Sequence, residues 1–224
     1  MRLIPKVPHH NYLLLPVFGM GLFVILYVLA ALSYSGGTWI DPTAPGFSFW
    51  HNYLCDLLDY ESLNGEINSG RYFARAALGV LCVSLIYLWI YLPHLLPKRS
   101  WNTRLMWFSG ILALVTTMLL SSGTHDVTVR IAGVLGAIAL LSAFAEMWKA
   151  GYSGLVRFGF VCLFVFLGNY YIYETGKGLY SLPVIQKITF SGFIAWFVWV
   201  DLALYRTVKN KIGQQTIPQD RVTQ

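Results

Sequence analysis

Residues able to ligate a metal, move a proton or hold an anion are few in this chain, and they cluster. His51, Asn52, Cys55 and Asp56 fall within one short stretch, Phe47–Asp59 (FSFWHNYLCDLLD). His51 and Cys55 are four apart and His51 and Asp56 five apart, so on a helix both partners approach the imidazole. A second pair, His125-Asp126, is contiguous, and a third group follows at Asn169, Tyr170, Tyr173 and Glu174. Imidazole nitrogen, thiolate sulfur and carboxylate oxygen are the donors that a divalent metal such as zinc takes, so His51, Cys55, Asp56 and His125 are the candidate ligand set if a metal is held. The residues otherwise call for no cofactor. Without a metal, His51 or His125 beside Asp56 or Asp126 has the composition of a general base with a tautomer-fixing partner. Such a base would act on an ester, amide or phosphodiester. Arg71, Arg75 and Arg130 have the chemistry to grip a phosphate, and Asn52, Asn169, Tyr173 and Glu174 to line the same ligand site. A structural account of the same residues stands beside this one: Asp126 caps the N-terminus of a helix, Arg130 pairs with it one turn on, and the polar side of 47–59 faces water.

The elements that position these residues are apolar runs. The 224 residues are 56% hydrophobic and 12% charged, with a mean hydropathy of +0.57, far from the quarter charged of an ordinary water-soluble domain. Six runs have the roughly 20 apolar residues needed to cross a bilayer: Tyr12–Ser33, Tyr72–Pro93, Thr103–Ser122, Val127–Met147, Tyr152–Tyr173 and Leu182–Tyr205. None alternates at strand period, so helices are the means of satisfying the backbone in lipid. The first run is longer than a signal-peptide core and reads as an anchor. The expected fold is all-α: a polytopic bundle of six transmembrane helices over residues 1–208, one interfacial amphipathic helix at 47–59, and a polar cytoplasmic tail at 209–224. On that interfacial helix Trp50, Tyr53, Leu54, Leu57 and Leu58 form the greasy face, and Ser48, His51, Asn52, Cys55, Asp56 and Asp59 the wet one.

Charge sets the orientation. Eleven of the 16 Lys and Arg residues, with three acids, fall at one set of run ends; the other five, Arg71, Arg75, Arg130, Lys177 and Lys187, share the opposite set with seven acids. The basic side is the cytoplasmic one, so both termini are expected inside, and the three candidate groups all lie at the outer face. The net +6 charge is thereby a topology signal and calls for no nucleic acid. Asp201 and Glu146, each near the inner end of a run, are expected to snorkel or to pair with Arg104, Lys149 or Arg206. No disulfide framework follows from three cysteines, two of them inside runs.

The absences are informative about class. The five histidines lie at run ends or in loops, which leaves a bilayer-centred haem without axial ligands. No ionisable residue is expected at mid-membrane depth and no inverted repeat is visible, so active transport ranks low. A Gly-rich phosphate loop is also missing.

The segment SFWHNYLCDLL, with NGEINSGRYFA leading into the second run, resembles bacterial membrane proteins of the domain-of-unknown-function 998 family, and more distantly six-helix Frag/DRAM-like proteins. In that pattern a polar helix with an acidic residue precedes the second span and a histidine follows the third; the matching positions are Asp56, with His51 and Asn52, and His125. Where those proteins carry a Ser-Glu-Leu-Gly type signature, this chain has Asn-Tyr-Leu-Cys-Asp. The resemblance implies a multi-pass protein of a bacterial inner membrane and assigns no activity. The expectation from the sequence is a polar pocket at the outer face, used for binding, sensing or assembly with a lipid headgroup or small molecule. A hydrolase or transferase acting on a lipid-linked substrate is the alternative, and a transporter the lesser one.

Overall fold

The computed structural model describes residues 5–97, 100–119 and 125–215, with the side chains of His125, Asp126 and Gln215 outside that description. Six long helices carry the fold: α1 (Leu15–Leu32), α2 (Arg71–Tyr91), α3 (Trp101–Met118), α4 (His125–Lys149), α5 (Ser153–Thr175) and α6 (Leu182–Gln215). Short 3-10 turns precede α1 at His10–Leu14 and follow α2 at Leu92–Leu95. Local chemistry sets several of the ends. Pro16 opens α1, where its missing N–H costs nothing. Ser100 and Thr103 cap α3 reciprocally, and Gly176, in the left-handed region at φ 70°, ends α5.

Five helical stretches are long and apolar enough to cross a membrane: His10–Leu32, Arg71–Leu95, Val127–Lys149, Ser153–Thr175 and Leu179–Gln214. The described part of α3, which opens on Trp101, Asn102, Thr103 and Arg104, is not among them; the end of the expected 103–122 run lies outside the described residues. α6 runs past the expected end at Tyr205 as far as Gln215.

The helices form a closed ring in chain order, α1 on α2, α2 on α3, and so on round to α6 on α1. Side-chain contacts fix their directions. His10 stacks near Tyr205 (centroids 5.8 Å apart) and Lys211 donates to the carbonyl of His94 (3.2 Å). Asn102 at the start of α3 donates to Glu146 at the end of α4 (3.0 Å), and Tyr152 at the start of α5 meets Thr207 (2.9 Å). Both described ends of the chain thus share one end of the bundle. At the other, Arg130 of α4 meets Glu174 of α5 (3.1 Å). The six helices alternate up and down, α3 included.

Two close approaches hold this ring. Gly110 of α3 lies against the indole of Trp89, and Gly159 of α5 against the rings of Phe144 and Trp196. Each tryptophan then donates to a neighbouring helix's backbone, Trp89 to Met106 (2.8 Å) and Trp196 to Leu155 (2.9 Å). Without a hydrophobic drive between helices in lipid, small residues and interhelical hydrogen bonds supply the adhesion.

Between α1 and α2, residues 33–70 fold into a compact cap. The amphipathic helix expected at 47–59 is absent: the chain makes a turn over 48–52 and a single 3-10 turn at Cys55–Leu58. The cause lies in its own polar side chains. Asn52 Oδ1 accepts the N–H of Ser48 (2.8 Å) and Asp56 Oδ2 accepts the N–H of Tyr53 (2.8 Å), an alternative to helix that Asn and Asp routinely offer. The expected facing holds at His51, Leu57 and Asp59 and reverses at Trp50, Asn52 and Asp56. Asn52 is 0% and Asp56 6% exposed, whereas Trp50 is 62% exposed.

Candidate functional site at the capped end of the bundle

Asn52 is the hub of the cap. Its amide donates to the carbonyl of Gly37 (2.9 Å) and to Asp56 Oδ2 (3.2 Å), while its oxygen holds Ser48. Gly37 sits at φ 87°, and a Cβ there would collide with the backbone of Leu63 and Asn64, so only glycine fits. From below, the first turns of α6 reach up. Lys187 Nζ donates to the carbonyls of Asn52 (2.7 Å) and Pro183 (3.0 Å) and lies over the ring of Phe49 (5.0 Å). Gln186 Oε1 accepts the N–H of Leu54 (2.7 Å).

The far side of the cap is fastened by α2. Asn68 donates to the carbonyls of Asp56, Leu57 and Asp59 at the end of the 3-10 turn (3.3, 3.1 and 3.1 Å). Arg71 is buried, its guanidinium 4.3 Å from the ring centre of Tyr60 and 4.5 Å from that of Tyr72. It donates to the carbonyls of Tyr60 (3.2 Å) and Asn68 (3.0 Å) and to the Tyr72 hydroxyl (2.8 Å). Arg75 donates to the carbonyl of Leu58 through Nε (3.3 Å) and a terminal nitrogen (3.1 Å). Two of the three arginines expected to grip phosphate, Arg71 and Arg75, therefore grip backbone.

Burial governs the electrostatics here. It pushes the Asp56 carboxyl up to about 6, outweighing the Tyr53 N–H, the Asn52 amide and the nearby Lys187, which all favour the ionised form. Burial, with Asp56 alongside, likewise pushes the Cys55 thiol up to about 12, although the residue as a whole is half-buried. A thiol so placed is a poor nucleophile and a poor metal ligand at neutral pH. Among the described residues no three His, Cys, Asp or Glu side chains come together as a metal-holding group, so His51, Cys55 and Asp56 do not form one among themselves.

The remaining candidates are distributed as follows. His51 is exposed and its Nδ1 lies 3.1 Å from Ser48 Oγ. The backbone of His125 opens α4 at this same end of the bundle; the His125 and Asp126 side chains lie outside the described residues. Arg130 is paired with Glu174 at the surface, and Tyr170 hydrogen-bonds to the same carboxylate. Asn169 is half-buried and Tyr173 exposed on the same turns of α5.

Sequence reasoning missed Gln186, Lys187, Asn68 and Tyr60. Lys187 was counted with the outer loops, yet it is buried in the second turn of α6. A lysine inside an apolar run was the available signal. Glu146 pairs as expected, with Lys149 (3.0 Å), but Asp201 does not: both its carboxylate oxygens are buried with no hydrogen-bond partner among the described residues.

The chain matches no protein-family model, no curated protein and no solved structure.

Proposed function

We propose that this chain is a six-span protein of the plasma membrane, both termini cytoplasmic, whose capped outer end is a binding or assembly surface and not a catalytic centre. One observation carries the reading: the polar side chains packed at the cap, most of them buried, are spent on holding it. Lys187 and Gln186 bond the backbone of Asn52 and Leu54, and Asn68, Arg71 and Arg75 bond carbonyls of 56–60 and 68. A catalytic set would instead aim such groups at an open space for substrate. The cap's outer side carries Trp39, Ile40, Phe49, Trp50 and Tyr60, all exposed, beside the exposed His51. That is the amphipathic rim a lipid headgroup zone or a small amphiphile favours. The alternating directions of α1–α6 support six spans, and the excess of Lys and Arg in the sequence at one set of run ends supports cytoplasmic ends.

The test is retention of ligand. Protein purified in mild detergent and examined by native mass spectrometry is expected to carry bound phospholipid, reduced severalfold in Trp50→Ala with His51→Ala. Equal retention by wild type and double variant would remove the cap as the site. The contact of Ser48 Oγ with His51 favours the hydrolase alternative, since a hydroxyl beside an imidazole is half of a nucleophilic set. Turnover of a lipid extract that disappears in both Ser48→Ala and His51→Ala would establish that reading instead.

A further inference from the structure

Asp201 is the least explained group in the molecule. It lies on α6 about 6 Å, one turn, before Tyr205, is 0% exposed, and neither oxygen has a hydrogen-bond partner among the described residues. Its neighbours on the same helix, Val200 and Leu204, belong to the hydrophobic core. A bare carboxylate in such surroundings is strongly disfavoured, and intramembrane acids are retained where they bind something. A cation must accompany it. With no accessible surface on the residue, the proton is the cation that fits.

We propose that Asp201 is a proton-binding site of the bundle, exchanging with the end where His10 meets Tyr205. A proton arriving from water forms an O–H bond on one carboxylate oxygen and leaves a neutral acid; its return to water leaves the carboxylate. Titratable side chains step from the site to that surface. Tyr87 of α2 is electrostatically coupled to Asp201. Its ring lies 4.9 Å from that of Tyr91, which lies 6.2 Å from that of His94 in the turn after α2. Other titratable groups described at this end have contacts of their own, and Tyr12 also acts on Tyr87 electrostatically. His10 stacks on Tyr205, Tyr152 bonds Thr207 and Arg157 bonds the carbonyl of Ser153. Lys209 lies over the ring of Tyr205, Tyr12 edges onto His9, and the first turns of α1 carry no ionisable side chain. This site is independent of the cap and of which face of the membrane it occupies.

The experiment uses the full chain carrying Asp56→Asn in phospholipid bilayers, with ¹³C in the carboxyls of the five remaining aspartates, read by infrared spectroscopy at pH 6. Asp56, which titrates near 6 and would add a band of its own, is thereby out of the labelled set. A protonated-carboxyl band is expected to appear, to shift in D₂O, and to vanish on adding Asp201→Asn. If that variant does not fold, Asp201→Glu moves the acid out of the labelled set, and the band is expected to vanish there too. Absence of the band with Asp201 present, or its survival in the variant, overturns the proposal. Tyr87→Phe is expected to keep the band and slow its D₂O shift at least tenfold; an unchanged rate overturns the tyrosine route.

Discussion

Asp56 shows how one buried acid makes the cap sensitive to pH. Its carboxyl is raised from 3.8 to about 6 by burial, so between those values the folded protein holds a proton that the unfolded chain has released. Stability gained from the neutral acid is complete below about pH 4 and is lost as pH rises through about 6; at neutral pH the ionised group costs on the order of 2–3 kcal/mol. Thermal unfolding in detergent between pH 4 and 8 is expected to fall across that window in the wild type. Asp56→Asn, which keeps an acceptor for Tyr53 and removes the titration, is expected to flatten the profile. A slope that survives the substitution assigns the dependence to another group. The neutral amide of Asn52, 3.2 Å from the carboxylate, stays in place in both proteins, so the comparison isolates the charge.

At the scale of elements, the cap is coupled to the bundle through α6, and Cys55 reports on that coupling. Its thiol is buried and protonated at neutral pH, so alkylation is expected to be slow until the cap lifts. Lys187→Met deletes the donor to the carbonyls of Asn52 and Pro183 while keeping an unbranched side chain under Phe49. Losing charged hydrogen bonds of this kind costs about 1.5–3 kcal/mol, which corresponds to Cys55 labelling accelerated roughly ten- to a hundredfold, measured with Cys82 and Cys162 replaced by serine. An unchanged rate would mean that Gln186, Asn68 and the two arginines hold the cap without Lys187. The packing of α2 on α3 offers a second case. Gly110→Ala drives a methyl into the Trp89 indole and displaces it from the Met106 carbonyl, an overpacking expected to cost about 2–4 kcal/mol. Gly133→Ala, with nothing near its Cβ, is expected to change unfolding by less than about 1 kcal/mol. Equal effects at the two sites would refute this account of the contact.

At the scale of the whole molecule, hydropathy and charge made the helices, their number and their alternation legible, because lipid demands long apolar runs and the charges record which ends meet water. The cap was misread because helical spacing over Phe47–Asp59 ignores what Asn52 and Asp56 do to their own backbone. Their capture of the Ser48 and Tyr53 N–H groups is a matter of local geometry, and their burial depends on Lys187, 135 residues from Asn52 in sequence. Its place near the inner end of a run makes Asp201 read as an acid that snorkels or pairs with Arg104, Lys149 or Arg206; its complete burial in the closed bundle is invisible to a one-dimensional scan. The proposed sidedness of the closed ring rests on the same charge logic and can be checked directly. Lys209 and Lys211 lie at the end where His10 meets Tyr205, and among the described residues that end holds seven of the twelve Lys and Arg side chains. Single cysteines introduced at Trp39 in the cap and at Asn210 near the end of α6, in a background lacking the native three, are expected to divide cleanly. In intact cells a membrane-impermeant maleimide should modify the cap position, and the α6 position only after the membrane is opened. The reverse labelling would turn the bundle over, moving the aromatic rim of the cap to the cytoplasmic leaflet and the Asp201 end to the exterior, while leaving the contacts inside the ring untouched.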